Sequence, residues 1–290
     1  MKVIRTIDAM RRFVRRAKGE EKLVGFVPTL GGLHEGHFSL FDAAAADCPV
    51  VVASIFLNPT QFAPTEDLAS YPADERADLA ACRAHGVSAA FVPAVAEMYP
   101  AGPAQCLTSV AVAKLGEHLC GRSRPGHFAG VCTVVLKLLN IVQPDRAYFG
   151  AKDYQQAAIV RRMAGDLNVP AAIVVRPTVR EDDGLALSTR NRYLTAEQRG
   201  QAAALHAALK LGERMLAAPP VSGAEVAAAM RAYLSEHAPA GNVDYIELVD
   251  ADTLAPVERP AGRVLVALAV KFERARLIDS LLVDAGGPRR

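Results

Sequence analysis

Leu23-Val24-Gly25-Phe26-Val27-Pro28-Thr29-Leu30-Gly31-Gly32-Leu33-His34-Glu35-Gly36-His37 reads as a buried strand that breaks into a glycine-rich turn and re-enters as a helix. The apolar run 23–27 suits a strand covered on both faces, as in a parallel sheet. A helix is expected to open near Gly36–Ser39. A turn of this kind exposes unpaired backbone N–H groups and the positive end of a helix dipole, which together attract anions. Gly31, Gly32 and Gly36 allow the backbone close to a ligand. His34 and His37 are three residues apart, so at a helix start they share a face and can donate to one phosphate chain. The spacing Gly31-x-x-x-x-Gly36 resembles a P-loop, but His37-Phe38 stands where Lys-Ser/Thr is required, which argues against one.

Outward from this unit the first 180 residues alternate strand-like and helix-like segments, the pattern of a parallel α/β sheet. Strands are expected at 23–27, 50–57, 87–92, 146–149 and 171–175, with helices at 39–47, 73–85, 131–142 and 154–167. Cys48-Pro49, His85-Gly86 and Gln143-Pro144 are suited to stopping helices. After Arg180 the alternation ends. Thr195-Ala196-Glu197-Gln198 is a capping box opening an Ala-rich helix to about Leu216, broken by Pro219-Pro220. Ser222 caps a further helix, and strand-like segments follow at 243–249, 263–270 and 275–283. The expectation is a Rossmann-like parallel-sheet domain over 1–180 and a smaller α+β domain over 181–290.

The 290 residues lie near the size at which one core splits, roughly 250–300 residues. A hydrophobic fraction of 51% and a charged fraction of 22% fit an ordinary globular chain. Thirty-three basic and 31 acidic residues leave a net charge of +2, with no bulk drive toward nucleic acid or a membrane surface. No apolar stretch reaches the ~18 residues of a membrane span, and the N-terminus lacks a signal-peptide core. Arg11-Arg12-Phe13-Val14-Arg15-Arg16 reads as a solvated helix face. Five cysteines without Cys-x-x-Cys or zinc spacing read as reduced thiols of a cytoplasmic protein.

Three more segments carry chemistry. Asn58-Pro59-Thr60-Gln61-Phe62 follows a predicted central strand, where open α/β sheets bind ligands. Gln61 could orient a carboxylate nucleophile with neutral donors, without the quenching of a salt bridge; equally, Asn58 and Gln61 could merely satisfy loop backbone. Gly150-Ala151-Lys152-Asp153-Tyr154-Gln155-Gln156 is another strand end running into a helix. Lys152 is a point charge for phosphate oxygens, worth about 4 kcal/mol at ~4 Å and an effective dielectric near 20. Asp153 either caps the helix or meets magnesium through water. Gln156, one turn in, could face the same cleft as Gln61. Leu187-Ser188-Thr189-Arg190-Asn191 lies at the expected domain junction; by itself it reads first as a polar linker, while its two hydroxyls and guanidinium can clamp a polyphosphate. The basic stretch Gly121-Arg122-Ser123-Arg124-Pro125-Gly126-His127-Phe128 either covers the cleft or sits on the surface.

Taken together, Leu30 to His37, Asn58 to Phe62, Gly126-His127-Phe128, Tyr148 to Gln156 and Leu187 to Asn191 resemble the pantoate–β-alanine ligase (pantothenate synthetase) family. This family belongs to the nucleotidyltransferases with a His-x-Gly-His motif. The resemblance spans residues 3 to about 282. It implies condensation of pantoate with β-alanine at the expense of ATP, through a pantoyl adenylate, with release of AMP and pyrophosphate and a requirement for Mg2+. It also implies a homodimer with a C-terminal domain that helps close the site. The implied ATP site comprises Leu30, Gly31, Gly32, Leu33, His34, Glu35, Gly36, His37, Gly150, Ala151, Lys152, Asp153, Val179, Leu187, Ser188, Thr189 and Arg190. Of these His34, His37, Lys152 and Arg190 are the catalytic candidates, with His37 as proton donor toward the leaving phosphate. Gln61 and Gln156 are implied to hold pantoate, Gln61 also lying near β-alanine, and Asp153 is the metal candidate. Leu30, Leu187 and Thr189 stand where the family commonly has Met, Met and Ser, changes that keep volume or the hydroxyl.

Two other readings use the same motifs. An adenylyl- or cytidylyltransferase acting on a phosphate ester would favour Arg or Lys in place of Gln61 and Gln156. A non-catalytic ATP sensor would not need His34, His37, Lys152 and Arg190 together.

Overall fold

The computed structural model describes residues 1–64, 66–218 and 220–286. Its first sheet contains β1 (Lys2–Ile4), β2 (Val24–Thr29), β3 (Val50–Ile55), β4 (Ala89–Phe91), β5 (Arg146–Gly150) and β6 (Ala172–Arg176). The order is β1-β4-β3-β2-β5-β6, with every pairing parallel. From β2 the chain winds outward through β3 to β4, then returns to β5 on the other side of β2. The order therefore reverses between β2 and β5, and ligands of such sheets bind beyond the carboxyl ends of the strands at that switch. Those ends are Thr29 and Gly150. The doubly wound parallel sheet expected from the sequence is present, and all five expected strands are in it. β1 is additional: three residues on an edge give too little pattern to read.

The strands are apolar because both faces are covered. All six residues of β3 are buried, as are five of the six in β2. One core cluster joins Val27, Phe41, Val51, Ala53, Ala90 and Tyr148. The basic N-terminal segment is the helix Ile7–Gly19, capped by Thr6, with Met10, Val14 and Ala17 inward and Arg11, Arg12, Arg15 and Arg16 exposed. The helix His127–Val142 begins four residues before its expected start. Gly130 sits in its first turn and is tolerated there because the helix lies against the backbone of Thr60.

A second sheet is antiparallel, in the order β7 (Asn242–Asp250), β8 (Gly262–Phe272), β9 (Ala275–Ala285). The helices Ala204–Leu216 and Gly223–His237 supply Leu205, Leu209, Met230 and Leu234 to a core with Val264, Val266, Leu268 and Val270 of β8. The expected capping box at Thr195 is formed. The helix it opens is interrupted once, between Ala196–Ala202 and Ala204–Leu216, although Ala203 keeps helical torsions. It ends at Leu216; of the expected Pro219-Pro220 break, Pro219 lies outside the described residues.

By its contacts the chain forms two compact units. The first holds Met1–Val112, Arg124–Ala151 and Gln156–Pro177; the second holds Ala113–Ser123, Lys152–Gln155 and the chain from Thr178 onward. Two short segments that precede residue 180 thus group with the C-terminal part. Their side chains show why. Gln155 accepts from the N–H of Cys120 at 3.0 Å and donates to the carbonyls of Leu115 and His118, both at 2.8 Å. Tyr154 donates its hydroxyl to the Ala251 carbonyl at 3.0 Å.

Candidate active site

In the first unit the turn after β2 is held by its own hydrogen bonds. Gly31 donates to Thr29 Oγ1 at 3.3 Å, while Gly32 and Leu33 donate to the two oxygens of Asp78 at 2.9 and 2.8 Å. The N–H of His34 points to Nδ1 of His37 (3.4 Å), and that of Gly36 to Nδ1 of His34 (3.1 Å). This corrects the expectation that the turn presents unpaired N–H groups: these five are taken internally. What the turn offers instead is its imidazoles. His34 is the N-cap of the helix Glu35–Asp47, and its ring centroid lies 4.2 Å from that of His37. Because each Nδ1 accepts from a backbone N–H, the proton of each neutral ring belongs on Nε2. Gly31 (φ +90°) and Gly32 (φ +66°) adopt left-handed torsions that side chains disfavour. A Cβ on Gly31 would also stand 3.0 Å from Asp78 Oδ2.

Gln61 ends the short helix Pro59–Gln61, which follows β3. Its Oε1 accepts from Nδ2 of Asn58 at 3.1 Å, which fixes the amide with Nε2 as its donor end, in a residue that is itself buried. Asn58 is fully buried, accepts from the Tyr99 hydroxyl at 2.9 Å, and donates to the Gly130 carbonyl at 3.4 Å. Arg124 and His127 converge on the backbone of the same turn. His127 Nδ1 donates to the Gln61 carbonyl at 2.8 Å, and Arg124 pairs with Glu66. Burial pushes the Glu66 carboxyl up, yet the Arg124 hydrogen bond and charge hold it below its ordinary value. Arg124 is therefore a brace beside Gln61 rather than an open phosphate ligand. Gln156 is half-buried in the helix Tyr154–Asp166. Gly150 closes β5, the strand beside β2 at the switch, and Ala151 follows it.

In the second unit Lys152 and Asp153 lie with Nζ and Oδ1 3.7 Å apart, Lys152 being the less exposed of the two. Val179 and Leu187, implied by resemblance alone, face each other: the Leu187 N–H donates to the Val179 carbonyl at 3.0 Å across a hairpin bridged at Arg180 and Ala186. Arg180 anchors that hairpin through a two-pronged pair with buried Asp279, at 2.6 and 2.9 Å. Ser188 caps the following turn Thr189–Tyr193 by accepting from the Arg190 N–H at 3.3 Å, and Thr189 is buried. Arg122 and Ser123 of the basic stretch bind Glu247 and Asp244. Among the described residues no three His, Cys, Asp or Glu side chains gather to hold a metal ion.

The main omission of the sequence reading is Asp78. Its signal was available: it shares the buried face of the helix Glu75–Ala84 with Cys82, four residues on, and a carboxylate on an apolar face needs donors.

Comparison with known proteins agrees with this architecture. The profile of the pantoate-beta-alanine ligase family matches residues 2–282. The pantothenate synthetase of Moorella thermoacetica is 54% identical over 284 residues, covering 98% of this chain and 99% of that one. The pantothenate synthetase of Thermotoga neapolitana is 48% identical, covering 98% and 100%. Among solved structures, pantothenate synthetase from Thermus thermophilus superposes with a TM-score of 0.89 at 44% identity, covering 97% and 99%. The pantoate-beta-alanine ligase of Francisella tularensis, solved with beta-gamma ATP and beta-alanine, gives 0.79 at 31%, covering 97% of each chain. With its paired histidines at the switch of a doubly wound sheet and this likeness along nearly its whole length, the chain belongs to the pantoate–β-alanine ligase family.

Proposed function

We propose that the chain joins pantoate to β-alanine in two steps on ATP. The pantoate carboxylate attacks the α-phosphorus, forming pantoyl adenylate and releasing pyrophosphate. The amine of β-alanine then attacks the acyl carbon, forming the amide of pantothenate and releasing AMP. The observation that carries this reading is the His34–His37 pair at the end of β2. With both Nδ1 atoms engaged by backbone, Nε2–H is the group each ring can turn to a phosphate chain whose charge grows as pyrophosphate departs. His37 is the proton donor toward that leaving group.

Leu30 to His37, Gly150, Ala151, Lys152, Asp153, Val179 and Leu187 to Arg190 are the proposed ATP contacts. Lys152 and Arg190 contribute fixed positive charge. Gln61, its amide set by Asn58, and Gln156 hold pantoate through neutral donors, which orient a carboxylate without quenching it. Gln61 also serves β-alanine. Magnesium supplies charge neutralisation on the phosphates. An ion carried in by ATP would need only one or two protein carboxylates. Asp153, half-exposed beside Lys152, is the proposed one. Working as a homodimer in the cytoplasm completes the reading. The five free cysteines suit a reducing compartment, and no described helix is long and apolar enough to cross a membrane.

Product analysis tests the assignment. With pantoate, β-alanine, ATP and magnesium, the expected products are equal amounts of pantothenate, AMP and pyrophosphate. Release of ADP and phosphate would exclude an adenylate. Adenylation without amide formation would indicate a nucleotidyltransferase, and binding without turnover a sensor.

A further inference from the structure

We infer that Asp78 is a positioning residue for the first half-reaction, holding the histidine-bearing turn in its reactive shape through the N–H groups of Gly32 and Leu33. The inference rests on the proposed role of His34 and His37. Asp78 is 3% exposed, and both its oxygens are used: Oδ2 accepts from Gly32 and Oδ1 from Leu33. It lies in the first turn of Glu75–Ala84, where the helix dipole favours a negative charge. Asp78 is a carboxylate acceptor, whereas Gly31, His34 and Gly36 donate to a hydroxyl and two imidazole nitrogens. Hydrogen bonds to an ionised acceptor are roughly twice as strong as neutral ones. Leu33 directly precedes His34, so the carboxylate fixes the Gly32–Leu33 peptide, one residue before the first imidazole.

The helix carrying Asp78 is itself docked to the helix carrying His37. His85, at its C-cap, stacks on Phe38 at 4.5 Å between centroids and pairs with Asp42 at 2.8 Å. Asp78 is thus the contact through which a neighbouring helix sets the imidazoles, although it is 41 residues from His37 in sequence.

The test is Asp78→Asn, which keeps the shape but can accept only one of the two N–H groups. A displacement of about 1 Å in a reacting group lowers rate by ~10². Pantoate-dependent exchange of pyrophosphate into ATP is therefore expected to slow by roughly 10–100-fold, with ATP affinity within about threefold. Added to His34→Ala/His37→Ala, Asp78→Asn should slow exchange much less than it does in the unmodified chain, because Asp78 acts through the two imidazoles. Leu79→Ala on the same helix, half-buried against the core, provides a destabilised control that keeps normal exchange below its melting range. Amide hydrogen exchange reads the turn independently of activity: Gly32 and Leu33 should be protected in the unmodified chain, and at least one exposed in Asp78→Asn. Wild-type exchange in folded Asp78→Asn overturns the inference. So do equal slowing by Leu79→Ala, fully multiplied losses when Asp78→Asn is added to His34→Ala/His37→Ala, or unprotected Gly32 and Leu33 amides in the unmodified protein. If the unmodified chain shows no pyrophosphate exchange with pantoate, the ligase reading itself fails, and only the amide measurement then bears on the turn.

Discussion

Replacing Gly130 with Ala would ordinarily strengthen a helix, by about 1 kcal/mol. Here the added methyl has no room. An ideal Cβ would stand 2.4 Å from the Thr60 carbonyl oxygen, 2.7 Å from its carbon and 2.8 Å from Cα of Gln61. Ordinary contact begins near 3.4 Å, so the two backbones must part by about 1 Å. Overpacking of this kind costs about 1–3 kcal/mol, which outweighs the propensity gain and leaves a net loss of about 0–2 kcal/mol. The larger consequence is functional. The displaced segment is the turn that carries Gln61, and it also loses the bond from Asn58 to the Gly130 carbonyl. A shift of that size at a substrate-holding group predicts a loss of up to ~10² in the first half-reaction. The loss should fall on pantoate: its KM rises, while that for ATP stays near normal because the histidine turn is held elsewhere. A thermal melt and initial rates with each substrate varied in turn would check this. A raised melting temperature with unchanged pantoate KM would refute the reasoning, since the contact would then be soft and Gln61 insensitive to it.

Removing His37 or Lys152 as Ala should slow single-turnover adenylate formation by roughly 10²–10⁴ while changing the melt little, because both side chains are only partly buried. Asp279→Ala strips the Arg180 guanidinium of its two-pronged partner and should destabilise the second unit by about 3 kcal/mol in a denaturant titration, the low end for a broken buried pair because Arg180 is partly hydrated. Burial, then the nearby Arg180 charge, depress the pKa of His206 below its ordinary value, against the opposing pull of Asp279 and with Lys210 and Glu213 nearby. The unfolded chain then binds the extra proton first, so this contribution to stability is complete above pH ~6.5 and is lost as pH falls through the lower folded value. Melts between pH 7.5 and 5.5 should show that loss, and His206→Gln should flatten it.

Much of the fold was legible because parallel strands are buried on both faces and appear as apolar runs. The runs at 50–57 and 146–149 became β3 and β5 with little change in their bounds. β1 was not legible, since Lys2-Val3-Ile4 is too short for periodicity and owes its existence to pairing with β4, some 87 residues away. The placement of Lys152–Gln155 with the second unit was equally hidden, because it depends on where Gln155 and Tyr154 find partners. At the candidate site, residue types gave the histidines and glutamines but not their tautomers, amide orientation or supports. Those follow from Asn58 and Asp78, whose acceptors and donors are fixed only once distant segments meet. The unpaired N–H groups expected in the turn failed for the same reason: a buried backbone donor finds an acceptor wherever the fold supplies one.

The central claim is that the activated intermediate is an adenylate formed before the amine is needed. Isotope exchange between labelled pyrophosphate and ATP, with pantoate and magnesium present and β-alanine absent, measures this most directly. The account predicts exchange that depends on pantoate and is slowed by roughly 10²–10⁴ in His37→Ala. Exchange that appears only when β-alanine is added would contradict it.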